Sequence, residues 1–380
     1  MERDIVTKTN QLFELPTGEQ LHLVPPILVE NNKPHLEAKL PLVRLSGSPE
    51  AIGAAHGSLL RSRIEKAIAV YRFKLFPDWS DSALKATSLA FFQRIQDFSL
   101  PYAIELKAIA SHSGRELWEI AMLISRTEIL RSTAPNECTA VYFKQGILGQ
   151  NWDWVADFEN LAVIFDITRE DGHRFLAMGE PGFVKIGCNT SGIGVCLNIL
   201  KCDAHTGGIP VHVLLRRVLD STDIKEAYQA IAKAERATMS NILIANEAGE
   251  YKNLELAGSS LFDLSQDEVE VNNIVVHTNG YLTHELETIP NPDETASSAV
   301  RLSTAKTLVL NSRTQDEAEM LAILLNQQGA LPICRRSEQN PLNNISYGTV
   351  ATLVMNLKKK IFIFSQGNPL EKTFSFISLT

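Results

Sequence analysis

Apolar residues first take up a regular period after residue 48. Ile52, Ala55, Leu59, Leu60, Ile64 and Ile68 form one stripe at spacings of three and four, the pattern of an amphipathic helix that must pack on something. Ser48-Pro49-Glu50 places a capping hydroxyl, a first-turn proline and a first-turn acid ahead of it, so the helix should start at 49 and run to about Phe73. Further helical patterns cover about 81–97, 101–112 and 115–130, with Gly114 as the break between the last two. Residues 1–40 are polar, interrupted by Pro25, Pro26 and Pro34, and read as an irregular or short-stranded arm.

The period changes after Pro135. Cys138 to Lys144 alternates and is β-branched or aromatic, Gln145-Gly146 turns the chain, and Ile147 to Val155 reads as the hairpin partner. Strand-like runs follow at about 161–168, 174–178, 183–188 and 193–200, then helices at about 210–219 and 223–235. Strands at about 240–246, 251–257 and 273–277, helices at about 297–311 and 315–327, and strands at 348–356 and 360–365 complete the pattern. Runs of strands and runs of helices, rather than strict alternation, predict an α+β fold of antiparallel sheets covered by helices.

The chain has 380 residues, 44% of them hydrophobic, enough to bury a large core in one domain or two closely joined ones. A net charge of −8 leaves no basic excess for phosphates, so no nucleic acid partner is expected and a small or acyl-type substrate fits better. The first twenty residues lack a secretory apolar run and no stretch approaches ~18 apolar residues. The expectation is a cytoplasmic protein with no membrane span. Five cysteines, an odd number in a long chain, form no disulfide framework and leave thiols available.

Among those thiols Cys138 stands apart, because it heads a predicted strand whose hairpin partner ends in Trp152-Asp153. Cross-strand pairing brings the Asp153 carboxylate near the sulfur; the competing reading is a buried structural cysteine. Cys188, Cys196 and Cys202 lack zinc-site spacing and read as non-metal residues. Cys334, beside Arg335 and Arg336, carries a thiol that adjacent cations would make reactive. His277 ends a predicted strand, with Asn279 behind it as a polar donor. Neither the Rossmann nor the Walker spacing occurs, so no nucleotide and no cofactor is expected.

In order along the chain stand Gly47-Ser48-Pro49, Ile52-Gly53, His56-Gly57, Cys138-Thr139, Gly149-Gln150-Asn151-Trp152-Asp153 and Gly187-Cys188-Asn189-Thr190-Ser191-Gly192-Ile193-Gly194. Gly208-Ile209-Pro210 with His212, His277-Thr278-Asn279, Ser298 with Arg301, Ile333-Cys334-Arg335 and Ala351-Thr352-Leu353 follow. From about Leu42 to Pro369 this series resembles the acyl-CoA:6-aminopenicillanate (isopenicillin-N) acyltransferase family of self-processing N-terminal-nucleophile (Ntn) hydrolases.

The resemblance implies a four-layer αββα sandwich made as one precursor. That precursor is cut between Glu137 and Cys138 into an α chain, residues 1–137 and mostly helical, and a β chain, 138–380, which together form one globular unit. It implies Cys138 as nucleophile, Asp153 as its acidic partner, Asn279 as oxyanion donor and Arg335 as active-site arginine. The implied activity is hydrolysis of a small amide, or acyl transfer from an amide or acyl-CoA-like thioester. Glu137 departs from the glycine usual before the nucleophile. Two alternatives therefore stand beside the enzyme: a non-catalytic binding protein that keeps the fold uncut, and an uncut cysteine hydrolase with His277 as base.

Overall fold

A computed structural model describes residues 11–29, 38–130, 138–200, 207–237, 239–266, 273–284, 295–341 and 343–380. Glu137 and Cys202 lie outside the described residues.

The arm contributes two short strands, β1 (Gln11–Glu14) and β2 (Gln20–Leu23), and β3 (Leu42–Gly47) precedes the first helix. Ser48 caps that helix by accepting from Ala51 N at 3.1 Å. The expected single helix to Phe73 is two, α1 (Pro49–Leu59) and α2 (Arg61–Val70), followed by one π turn. They divide at Leu60, whose φ of −106° and ψ of 12° leave the helical region, and each half serves a different partner. A Cβ on Gly53 would lie 2.3 Å from Glu105 O, and one on Gly57 2.5 Å from Ile109 O; only glycine lets α1 approach the backbone of the later helix Leu100–Ser113 so closely. On α2, buried Arg63 instead donates to the carbonyls of Ala38 and Ala162.

Next come α3 (Asp81–Phe98), α4 (Leu100–Ser113), α5 (Leu117–Ile124) and α6 (Arg126–Leu130). Gly114 ends α4 in the left-handed region, φ 70°. Six strands follow, the hairpin β4 (Thr139–Phe143) and β5 (Ile147–Val155) and then the meander β6 (Val163–Arg169), β7 (Arg174–Glu180), β8 (Phe183–Asn189) and β9 (Ile193–Ile199). After it run α7 (Val211–Leu219), α8 (Ile224–Ala232), β10 (Ser240–Asn246), β11 (Tyr251–Ala257), β12 (Ser260–Asp263) and β13 (Ile274–His277). The chain closes with α9 (Thr295–Leu310), α10 (Glu317–Leu324), β14 (Glu338–Gln339), β15 (Ser346–Asn356), β16 (Ile361–Ser365) and β17 (Thr373–Ser378).

Two sheets result. One runs β1-β2-β17-β16-β15-β5-β4-β13, with β14 on β15, and the other runs β12-β11-β10-β9-β8-β7-β6-β3. The expectation of wholly antiparallel sheets is corrected at two places, since β2 pairs with β17 and β3 with β6 in parallel. Both parallel pairs join segments far apart in sequence, where no short hairpin imposes the antiparallel sense. Strands β4 and β5 face β9 across the sandwich, α7 and α8 cover the second sheet, and α9 and α10 cover the first. The architecture is αββα, with the N-terminal helices docked through α1 beside β3.

Strand β4 shows how the layers fit. All five of its residues are buried, yet Ala140 and Tyr142 belong to the core between the sheets while Val141 and Phe143 belong to the core under α9 and α10. Gln150 ties the sheets, because its side-chain amide accepts from Leu197 N at 2.9 Å and donates to Leu197 O. Among the described residues no helix is long and apolar enough to cross a membrane.

Candidate active site

Cys138 stands one residue ahead of the Thr139–Asn151 pair that opens the β4–β5 ladder. This register brings Asp153 beside it, where the Asp153 backbone N–H favours the thiolate without reaching hydrogen-bonding geometry. The hairpin read from sequence therefore forms as expected.

The Cys138 backbone is held from both sides. Its N–H donates to Asn279 Oδ1 at 2.7 Å. Its carbonyl accepts from Arg301 Nη1 at 2.7 Å and Asn198 Nδ2 at 3.0 Å. Arg301, fully buried on α9, also donates to Thr139 Oγ1 and to Asn279 Oδ1, each at 3.0 Å. A charged donor with three oxygen acceptors fixes this strand start more firmly than neutral bonds do. Asn279 follows β13, which pairs with β4 through His277↔Ala140, so the sheet itself delivers the asparagine to the cysteine.

Sequence reasoning assigned Asn279 a donor role, but in this uncut chain its Oδ1 is an acceptor and its Nδ2 donates to Ile199 O at 2.9 Å. Arg335 reaches the site through its backbone: its N–H donates to Thr349 Oγ1 at 2.8 Å, and Thr349 is the cross-strand partner of Asp153. The guanidinium that acts on Asp153 is that of Arg301.

Asp153 is 3% exposed, and neither carboxylate oxygen has a partner at hydrogen-bonding geometry. The Thr349 hydroxyl lowers its pKa but sits too loosely to satisfy either oxygen. Burial dominates and pushes this carboxyl from 3.8 up to about 7, against the pull of Arg301. The Cys138 thiol, 4% exposed, is likewise raised by burial, and Lys185 is the strongest influence the other way.

Lys185 is a residue sequence reasoning missed. It projects from β8 with Nζ 4.4 Å from the Trp152 ring centre and 5.8 Å from that of Trp154. Burial lowers its pKa from 10.5 to about 8. Cys138, Asp153, Trp152, Trp154, Lys185, Glu180 and Arg126 line one cavity of about 20 Å³, room for about one water. The available signal was a lone cation inside the otherwise apolar run Phe183-Val184-Lys185-Ile186. Arg301 had been noted only as a mark of the resemblance, and Asn198 carried no local signal.

The other candidates take structural places. His277 is fully buried, with Nε2 2.9 Å from Glu255 Oε1 and Nδ1 2.6 Å from Thr278 O, so both ring nitrogens face acceptors and neither is directed at Cys138. Cys188 and Cys196 are buried strand residues as expected, and burial pushes the Cys188 thiol up to about 12. The expectation of a reactive Cys334 is corrected: it is 1% exposed, and burial raises its thiol pKa despite the neighbouring arginines. No group of three or more His, Cys, Asp or Glu among the described residues could hold a metal.

Comparison with known proteins adds a second line. The family model described as acyl-coenzyme A:6-aminopenicillanic acid acyl-transferase matches residues 143–371, a stretch that begins just after Cys138. The 40 kDa form of acyl-coenzyme A:6-aminopenicillanic-acid-acyltransferase from Emericella nidulans is 29% identical over 246 residues, covering 62% of this chain and 68% of that protein. Among solved structures, the Caenorhabditis elegans ortholog of N-acylethanolamine-hydrolyzing acid amidase superposes with a TM-score of 0.41 and 19% identity over 58% of this chain and 93% of its own. A variant of conjugated bile acid hydrolase from Clostridium perfringens gives 0.43 and 16% over 60% and 89%. Penicillin V acylase from Agrobacterium tumefaciens gives 0.39 and 15% over 60% and 82%.

Proposed function

Because this chain belongs to the acyl-coenzyme A:6-aminopenicillanic acid acyltransferase family, we propose that it is an N-terminal-cysteine amidohydrolase or N-acyltransferase that cuts itself between Glu137 and Cys138. The observation that carries the proposal is the clamp on Cys138. Its amide and carbonyl are fixed by Asn279, Arg301 and Asn198. A structural cysteine needs packing only; it does not need its own backbone positioned by three buried polar side chains.

In the uncut chain the thiol attacks the carbonyl carbon of residue 137, and the amide becomes a thioester that water hydrolyses. The new α-amine of Cys138, with an ordinary pKa near 7.7–8.0, then accepts the thiol proton in turnover. Asn279 Oδ1 already accepts from this nitrogen. The two unpartnered Asp153 oxygens are suited to the additional protons that an ammonium brings. A substrate acyl group passes to sulfur, the leaving amine or thiol departs with a proton, and water or an amine takes the acyl group from the thioester. Asn279 serves the tetrahedral oxyanion if its amide donor turns from Ile199 O; such a donor is worth about 2.7–4 kcal/mol in related chemistry. Arg335, whose backbone is bonded to Thr349 opposite Asp153, carries a guanidinium of the kind that holds a substrate carboxylate.

Intact mass tests the proposal. The wild-type protein should give two chains of roughly 15 and 27 kDa at about 110 Da per residue, and Cys138→Ala one uncut chain without turnover against acyl-amides or acyl-thioesters. Normal cutting of Cys138→Ala overturns the assignment.

A further inference from the structure

Resting on the self-cleavage reading above, we propose that Lys185 is the proton acceptor for the Cys138 thiol in the uncut chain, before an α-amine exists to take that role. The uncut chain poses a problem that the finished enzyme does not. The nitrogen of Cys138 is an amide there, already donating to Asn279, and an amide is no base. His277 has both nitrogens engaged elsewhere, so the proton must go to another group.

Lys185 is placed for it. It lines the same cavity as Cys138, and that cavity of about 20 Å³ has room for one water to bridge sulfur and amine. Its stem and ammonium are held against Trp152 and Trp154, and no carboxylate among the described residues lies within ion-pairing distance of it. Several charged groups face it. Glu180 on β7 is committed to Arg126 Nε at 2.8 Å and to Tyr71 OH at 2.6 Å. Arg126 on α6 and buried His212 on α7 share a bond of 2.6 Å, and Arg126 disfavours the protonated lysine. Cys138 is the group whose ionisation favours it most, and Asp153 lines the same cavity.

An ordinary lysine is almost wholly protonated at neutral pH, whereas one near 8 is free amine for roughly a tenth of the time at pH 7. In the step, neutral Nζ takes the thiol proton and becomes an ammonium. The sulfur electron pair forms the C–S bond to the carbonyl carbon of residue 137, whose π pair moves to oxygen. Collapse breaks the C–N bond to Cys138, and the leaving nitrogen takes the proton back from Lys185. The thioester and a free α-amine remain, with Lys185 neutral again.

The test is timed self-cleavage of the full-length chain, followed by intact mass from about pH 6 to 10, for wild type, Lys185→Met and Lys185→Arg. Wild-type cutting should accelerate with pH and level off above a midpoint near 8. Both variants should cut at least about 100-fold more slowly, a general base being worth about 10²–10⁴, and neither should show that midpoint. Should Met disturb the tryptophan stacking, Arg decides: it keeps cation and stem, so a merely structural role predicts near-wild-type cutting. Arg or Met variants that cut within about threefold of wild type with the same midpoint overturn the proposal. A wild-type chain that never cuts overturns the self-cleavage reading instead, so the two failures are distinguishable.

Discussion

The unpartnered carboxyl of Asp153 makes the uncut chain sensitive to pH in a way that can be worked out in advance. Its folded pKa of about 7 lies above the ordinary 3.8, so the folded state holds the proton more tightly than the unfolded one. The associated stability is fully present below about pH 3.8 and is lost as pH rises through 7. At 1.36 kcal/mol per unit, the ionised carboxylate costs the fold about 4 kcal/mol above that range. Asp153→Asn, placed in the uncut Cys138→Ala chain, removes the ionisation and keeps the shape. Its amide will have its own unmet bonds, worth about 1–3 kcal/mol, but that cost does not change with pH. The stability of the Asn chain relative to the Asp chain should therefore improve by about 2–3 kcal/mol between about pH 5 and 8.5. Urea unfolding at the two pH values measures this double difference, in which contributions common to both chains, Lys185 among them, cancel. A difference that stays flat across the range, or runs the other way, refutes the account of Asp153 as a buried carboxyl awaiting a cation.

Three further outcomes follow from the geometry. Arg301→Met leaves the Cys138 carbonyl, Thr139 Oγ1 and Asn279 Oδ1 short of one charged donor; it should lower stability by about 3 kcal/mol in urea melts and slow self-cleavage at least tenfold by intact mass. Gly57→Ala puts a Cβ 2.5 Å from Ile109 O and should cost about 1–3 kcal/mol as α1 is pushed off α4, with no shift in the pH profile of cutting. His277→Gln should still cut, losing only about 1–3 kcal/mol of stability from the altered bond to Glu255; loss of cutting in a stably folded His277→Gln chain would restore the histidine-base alternative.

Local features of this chain were decided by local chemistry, and sequence was enough for them. Ser48 caps, Gly114 stops a helix, and the turn at Gln145-Gly146 folds β4 on β5 so that Cys138 meets Asp153. Glycines 53 and 57 could be recognised as marks of the family, but their reason, contact with the α4 backbone, required the packed helices.

What only the tertiary structure decided has one physical cause, distance along the chain. Cys138 meets Asn279 across 141 residues and Arg301 across 163, separations at which no periodicity or spacing records a contact. Strands β4, β5 and β8 are buried on both faces, so their apolar runs carry no alternation to say which side faces which layer. Hence Lys185 sharing a cavity with the thiol, Cys334 hidden despite its arginines, and the parallel pairing of β3 with β6 were invisible in the sequence. The sequence names the candidate nucleophile and the kind of fold; the stacking of two sheets chooses which buried charges stand around it, because their environment is made by residues from every layer.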